Sequence, residues 1–271
     1  SSDVCSSDLL SLSVIDQAAD SVAQAVQGSD VVLVAVPVAA TASTLREVAV
    51  HLGPQAWCMD VGSTKSDVVQ AAAQTLGAAL PRFVPAHPIA GKELAGVEHA
   101  DAHLYEERLV VLTPQAETLT ACTDHARALW SAVGARVEIM TAPAHDAAFA
   151  AVSHLPHVLA YAYMKGLMSQ ADGPEFLRLA GPGFRDFSRI AGSDPTVWRD
   201  ILLSNSHAVL QQVAAFKDGL QAFESWIREG DGAALEQAIA NVAHERRRWK
   251  LSAHESSHAS AQDAASPDAP E

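Results

Sequence analysis

The run Val31-Val32-Leu33-Val34-Ala35-Val36 is apolar at every position and rich in β-branched residues. That pattern suits a parallel strand covered on both faces. Further short apolar runs occupy 56–60, 82–84, 109–112 and 136–140, with helix-period stretches such as 43–51 and 66–76 between them. Strands alternating with helices predict an α/β doubly wound sheet over 14–144. Around His145 the pattern changes, and for about a hundred residues only helical spacing remains. Asp172-Gly173-Pro174, Gly181-Pro182-Gly183 and Gly230-Asp231-Gly232 punctuate it. An all-α domain is expected over 145–251, with long helices at 147–168 and 198–227. Their apolar faces exceed what one small bundle covers, which predicts pairing with a second subunit. At the ends the texture is different. Ser1-Ser2-Asp3 recurs as Ser6-Ser7-Asp8, so 1–13 reads as a leader foreign to the fold, and 252–271 reads as a disordered tail.

Composition narrows the function classes. A chain of 271 residues, 49% hydrophobic, can bury a substantial core. With 32 acids against 18 bases its formal charge is -14, which argues against nucleic acid, whose phosphates demand lysine and arginine. Cys5, Cys58 and Cys122 form neither a C-x-x-C pair nor an even framework, as expected of a protein in a reducing cytoplasm. No apolar run approaches the roughly 20 residues that cross a bilayer, so no membrane association is expected.

Ligands of open α/β sheets bind beyond the carboxyl ends of the strands. Three loops there are expected to converge on one crevice: Val36-Pro37-Val38, Asp60-Val61-Gly62-Ser63-Thr64-Lys65 and His87-Pro88-Ile89-Ala90-Gly91. Gly62 permits close backbone approach, while Ser63 offers a hydroxyl and His87 an imidazole. Ser63 reads equally as the N-cap of the helix at 66–76. In the helical part Ser153-His154-Leu155-Pro156-His157 puts Ser153 and His157 on one helix face, with Pro156 expected to kink the helix. Arg185 and Arg189 are also four apart at the start of a predicted helix, and two guanidinium forks on one face suit a carboxylate. The alternative is a surface pair bridging to Asp186, Asp194 or Asp200. The 12 histidines show no H-E-x-x-H spacing, and no metal site is expected.

The stretches Asp60 to Lys65, His87-Pro88-Ile89-Ala90-Gly91-Lys92-Glu93, Ser153 to His157 and Gly183-Phe184-Arg185-Asp186-Phe187-Ser188-Arg189, in this order and separation, resemble the prephenate dehydrogenase family. The resemblance implies a Rossmann-type amino domain, an all-α dimerisation domain and an active site between them. It implies NAD or NADP as cofactor, prephenate as substrate on the route to tyrosine, a homodimer, and tyrosine as feedback inhibitor. His87 matches the catalytic histidine and Ser63 a residue orienting it. Arg189 and Arg185 match cations for the substrate, Ser153 and His157 line the same pocket, and Glu93 matches a gating position. Val36, Pro37, Asp60 and Gly62 are the expected cofactor contacts.

One departure stands out. The family opens with a strand, a G-x-G-x-x-G turn and a helix, whereas no glycine precedes Gly28 here. The Rossmann-type domain is therefore expected to be incomplete, lacking roughly 30 to 40 residues of its first βαβ unit. From that gap follows a second reading of another class, an inactive dimeric ligand-binding module. Within enzymes, the alternatives are arogenate or dual cyclohexadienyl specificity.

Overall fold

The computed structural model describes residues 6–90 and 96–249; Cys5, Glu93 and the expected tail at 252–271 lie outside the described residues. The strands are β1 (Val31–Val34), β2 (Trp57–Asp60), β3 (Phe83–Val84), β4 (Ala86–Pro88), β5 (Leu109–Leu112) and β6 (Arg136–Ile139). Strands β1, β2 and β3 pair in that order, all parallel. In a second set β4 pairs antiparallel to β5, and β5 parallel to β6. β3 and β4 are separated only by Pro85, so one extended segment serves β2 with its first half and β5 with its second. Short β4 was not anticipated. His87, expected in a loop, is a strand residue opposite Val111.

Side-chain alternation along these strands builds two core layers. Cys58 and Phe83 face one way, into a layer with Val34, Leu45, Val48, Val68 and Ala72. Trp57, Met59 and Val84 face the other, joining Val110, Leu112, Ala126 and Trp130. The first layer is supplied by helices α3 (Thr41–His51) and α4 (Ser66–Thr75), the second by α5 (Thr120–Ala132). Period-2 strands with helices on both faces produce the Rossmann-type arrangement expected of the α/β part. Two short helices, α1 (Ser6–Ser11) and α2 (Val22–Val26), precede β1.

Beyond β6 the chain is helical. α6 (Ala142–Phe149) runs through a π-turn at Ala150–His154 into α7 (Leu155–Met168). Pro156 has no N–H to give the carbonyl of Val152, and its ring crowds that carbonyl. The expected kink is thus taken up as a widened turn just ahead of the proline. Next come α8 (Gly173–Arg178), α9 (Pro182–Ser188), a 3-10 turn at Arg189–Gly192, α10 (Pro195–Ser204), α11 (Ser206–Glu229) and α12 (Gly232–Arg248). Two expectations are corrected here. The helix predicted over 198–227 is broken at Asn205, and Arg189 lies in the turn after α9 rather than on one helix with Arg185. The chain forms two compact units, Ser1–Gln212 and Val213–Glu271, so the sheet and helices α6 to α10 belong to one body. No described helix is long and apolar enough to cross a membrane.

Candidate active site

The site is organised around the amino end of α4. Its N-cap is Lys65, which makes no side-chain cap bond, so Ser63 is not the cap. The carboxylate of Asp146, on α6, does that work from eighty residues away. Its Oδ1 accepts the Lys65 backbone N–H at 2.9 Å and its Oδ2 that of Ser66 at 2.8 Å. A carboxylate on the positive end of a helix satisfies both the unpaired N–H groups and the helix dipole. Burial alone would raise the Asp146 pKa, yet hydrogen bonds from the His145 side chain and from Ser66 and Lys65 outweigh it and hold the carboxyl down at about 2.

The lysine side chain turns inward and is fully buried. Its Nζ donates to Asp60 Oδ2 and, at 2.7 Å, to the carbonyl of Ala86. Asp60 Oδ1 accepts the Ala86 N–H at 3.0 Å, and its Oδ2 accepts the Gly62 N–H at 2.8 Å. A Cβ at Gly62 would stand 2.9 Å from that Oδ2, so only glycine lets the chain wrap the carboxylate so closely. Asp60 and Gly62 therefore clamp the end of β2 to β4. Asp60 is 1% exposed, and both of its carboxylate oxygens accept these internal bonds. Val36 is partly buried against the first core layer. Pro37 is exposed beyond the carboxyl end of β1, ahead of a 3-10 turn, Val38–Ala40, that packs on α10.

Held between these clamps, His87 is half-buried. Its Nδ1 lies 2.7 Å from Nε2 of His145, and Nδ1 of His145 lies 2.9 Å from Asp146 Oδ1. Phe149 walls both rings, with centroids 4.9 Å from His87 and 4.5 Å from His145. Burial, reinforced by His145 and the Lys65 ammonium, pushes the His87 pKa well below the ordinary imidazole value. His87 is thus an uncharged imidazole at neutral pH, the form a general base requires.

A second histidine pair stands on the π-turn and α7. His154 is buried, and its Nδ1 lies 3.1 Å from Asn205 Nδ2, the amide that also donates to the Asp146 carbonyl at 2.8 Å. His157 donates from Nδ1 to the Ser153 carbonyl at 2.9 Å and stacks on Trp198 with centroids 3.4 Å apart. Burial lowers the pKa of His157, and that of His154 to about 4. Arg185 is exposed and reaches the adjacent Asp186 at 3.3 Å, the local bridge raised as the alternative to a ligand site. Arg189 is exposed in a turn that packs on α7. Expected site residues are thus brought together in two groups, His87 with the Ser63 loop and Ser153 with His157. Sequence reasoning missed His145, Asp146, Asn205 and Trp198. A His-Asp pair inside Ala142-Pro143-Ala144-His145-Asp146-Ala147-Ala148 was the available signal.

Comparison with known proteins decides the family. Residues 2–139 match the family model of the prephenate dehydrogenase nucleotide-binding domain, and residues 141–241 that of the prephenate dehydrogenase dimerization domain. The chain belongs to the prephenate dehydrogenase family. Among curated relatives, it is 34% identical to a cyclohexadienyl dehydrogenase of Zymomonas mobilis over 83% of this chain and 76% of that protein. A prephenate dehydrogenase of Bacillus subtilis is 37% identical over 82% of this chain, which spans 57% of that longer protein. Among solved structures, prephenate dehydrogenase from Aquifex aeolicus, in complex with hydroxyphenyl propionate and NAD+, superposes with a TM-score of 0.84 at 34% identity. That match covers 89% of this chain and 84% of the other. Prephenate dehydrogenases are oxidoreductases, and the two matched domains together take in both histidine groups.

Proposed function

We propose that this prephenate dehydrogenase family member catalyses the NAD-dependent oxidative decarboxylation of prephenate to 4-hydroxyphenylpyruvate, with His87 as general base. The observation that carries the reading is the half-buried His87 imidazole, uncharged and held through Nδ1 by His145. Its Nε2 is left for substrate. In the reaction the ring hydroxyl gives its proton to that nitrogen as the carbinol carbon gives up hydride. The bond to the ring carboxylate breaks, carbon dioxide leaves, and its electron pair enters the ring. Aromatisation supplies the driving force, and the proton returns to the phenol oxygen, so no proton is consumed overall. NAD, when bound, supplies the hydride acceptor. The exposed backbone at Pro37, beyond the carboxyl end of a parallel strand, fits the place where Rossmann-type sheets meet a dinucleotide. That the Aquifex aeolicus relative was solved with NAD+ supports the same cofactor.

Ser63 positions the ring hydroxyl against His87, Ser153 and His157 line the substrate pocket, and Arg189 with Arg185 offers cations to the substrate carboxylates. The stacked His157–Trp198 pair gives a flat apolar surface suited to a ring. Similarity to a cyclohexadienyl dehydrogenase supports arogenate as a second substrate. The match to a dimerization domain supports a homodimer. Following the absorbance of reduced cofactor with prephenate and with arogenate tests the activity. Replacement His87→Asn is expected to lower kcat by about 10²- to 10⁴-fold with little change in KM. A variant that turns over at the parent rate overturns the assignment.

A further inference from the structure

We infer that His145 and Asp146 are positioning residues that fix the tautomer of His87, extending the reading of His87 as base on which this inference rests. Three groups stand in line, Asp146 Oδ1 to His145 Nδ1 at 2.9 Å and His145 Nε2 to His87 Nδ1 at 2.7 Å. Asp146 is ionised and can only accept, so Nδ1 of His145 carries the hydrogen. The His145 ring is wholly buried with Nδ1 turned to that carboxylate, and its Nε2 takes the acceptor's part toward His87. His87 must donate to it through Nδ1–H. The lone pair of His87 is thereby placed on Nε2, the atom to which the proposed reaction assigns the proton of the ring hydroxyl. When His87 takes a proton, the charge that forms is met through His145 by the carboxylate, as in other hydrogen-bonded acid–histidine arrangements. Asp146 is itself held in place by the N–H groups of Lys65 and Ser66, so the chain is anchored on the end of α4.

The experiment has one arm that needs no substrate. Long-range proton–nitrogen correlation spectra of ¹⁵N-histidine-labelled protein at neutral pH are expected to show His87 protonated on Nδ1 and bare on Nε2. A His87 found as the Nε2–H tautomer, as it would be beside a doubly protonated His145, overturns the inference even if the enzyme proves active. The second arm is kinetic. His145→Phe keeps a ring in the pocket without an acceptor and is expected to lower kcat about 10²-fold or more at nearly unchanged KM. His145→Gln, whose amide oxygen can accept from His87, is expected to recover most of that loss. Equal rates for parent and His145→Phe overturn the inference. Absence of activity in the parent, with the tautomer as expected, would count against the proposed reaction and leave the hydrogen-bond chain standing.

Discussion

Protonation of single buried residues governs how this protein responds to acid. The His154 pKa is lowered to about 4 in the fold against 6.5 for a free imidazole, because burial disfavours its cation, with smaller pushes the same way from His145 and His157. A histidine held neutral in the folded state takes up protons more readily when unfolded. Its stabilising effect is therefore complete above pH 6.5 and is lost progressively as pH falls toward 4. His87 acts in the same direction. Asp146, lowered from 3.8 to about 2, adds a further loss as pH falls below 3.8. Thermal melts in buffers spanning pH 7 to 4 are expected to show a falling Tm, with a smaller fall for His154→Gln. An identical fall in both proteins would exclude His154 as a source. Neither His154 nor Asp146 was singled out from sequence, because a buried histidine and a helix-capping aspartate look like any others until their partners, many residues away, are in place.

The elements that form the site are joined at irregularities rather than along regular helix or strand. The π-turn at Ala150–His154 and the break at Asn205 are two such points. Asn205 ends α10, and its amide ties that end to the Asp146 carbonyl and to His154. Replacement Asn205→Ala would take the donor from His154 Nδ1 and one of the bonds from the Asp146 carbonyl, which also accepts the Ala150 N–H, at a cost of about 1–3 kcal/mol. Urea unfolding followed by far-ultraviolet circular dichroism is expected to show a lower midpoint at an unchanged slope. A midpoint equal to the parent's would mean that the two acceptors find other donors. Helical periodicity over 198–227 is continuous, so the break was invisible in sequence. By contrast β5 was legible to the residue, because its run of four apolar side chains is bounded on both sides by polar ones.

The whole molecule divides at Gln212 and Val213, beyond most of the helices. Bonds from Lys65 and Ser66 to Asp146, and from His87 to His145, tie the sheet to α6 and make one body of the two. In the second unit Leu220, Ile227, Ile239 and Val242 are 56–67% exposed on α11 and α12. Such a face on a chain matching a dimerization domain leads us to expect a dimer in sedimentation equilibrium, at twice the monomer mass, with Leu220→Glu shifting it toward monomer. A monomeric parent at micromolar concentration would contradict this. By itself the sequence determined the α/β and all-α halves, because hydrophobic period is a local property of the chain. It also carried the family motifs that single out His87. Tertiary structure alone decided which residues hold His87, because the ligand of a helix end or an imidazole is chosen by proximity in space, and Asp146 lies eighty residues along the chain from the N–H groups it serves.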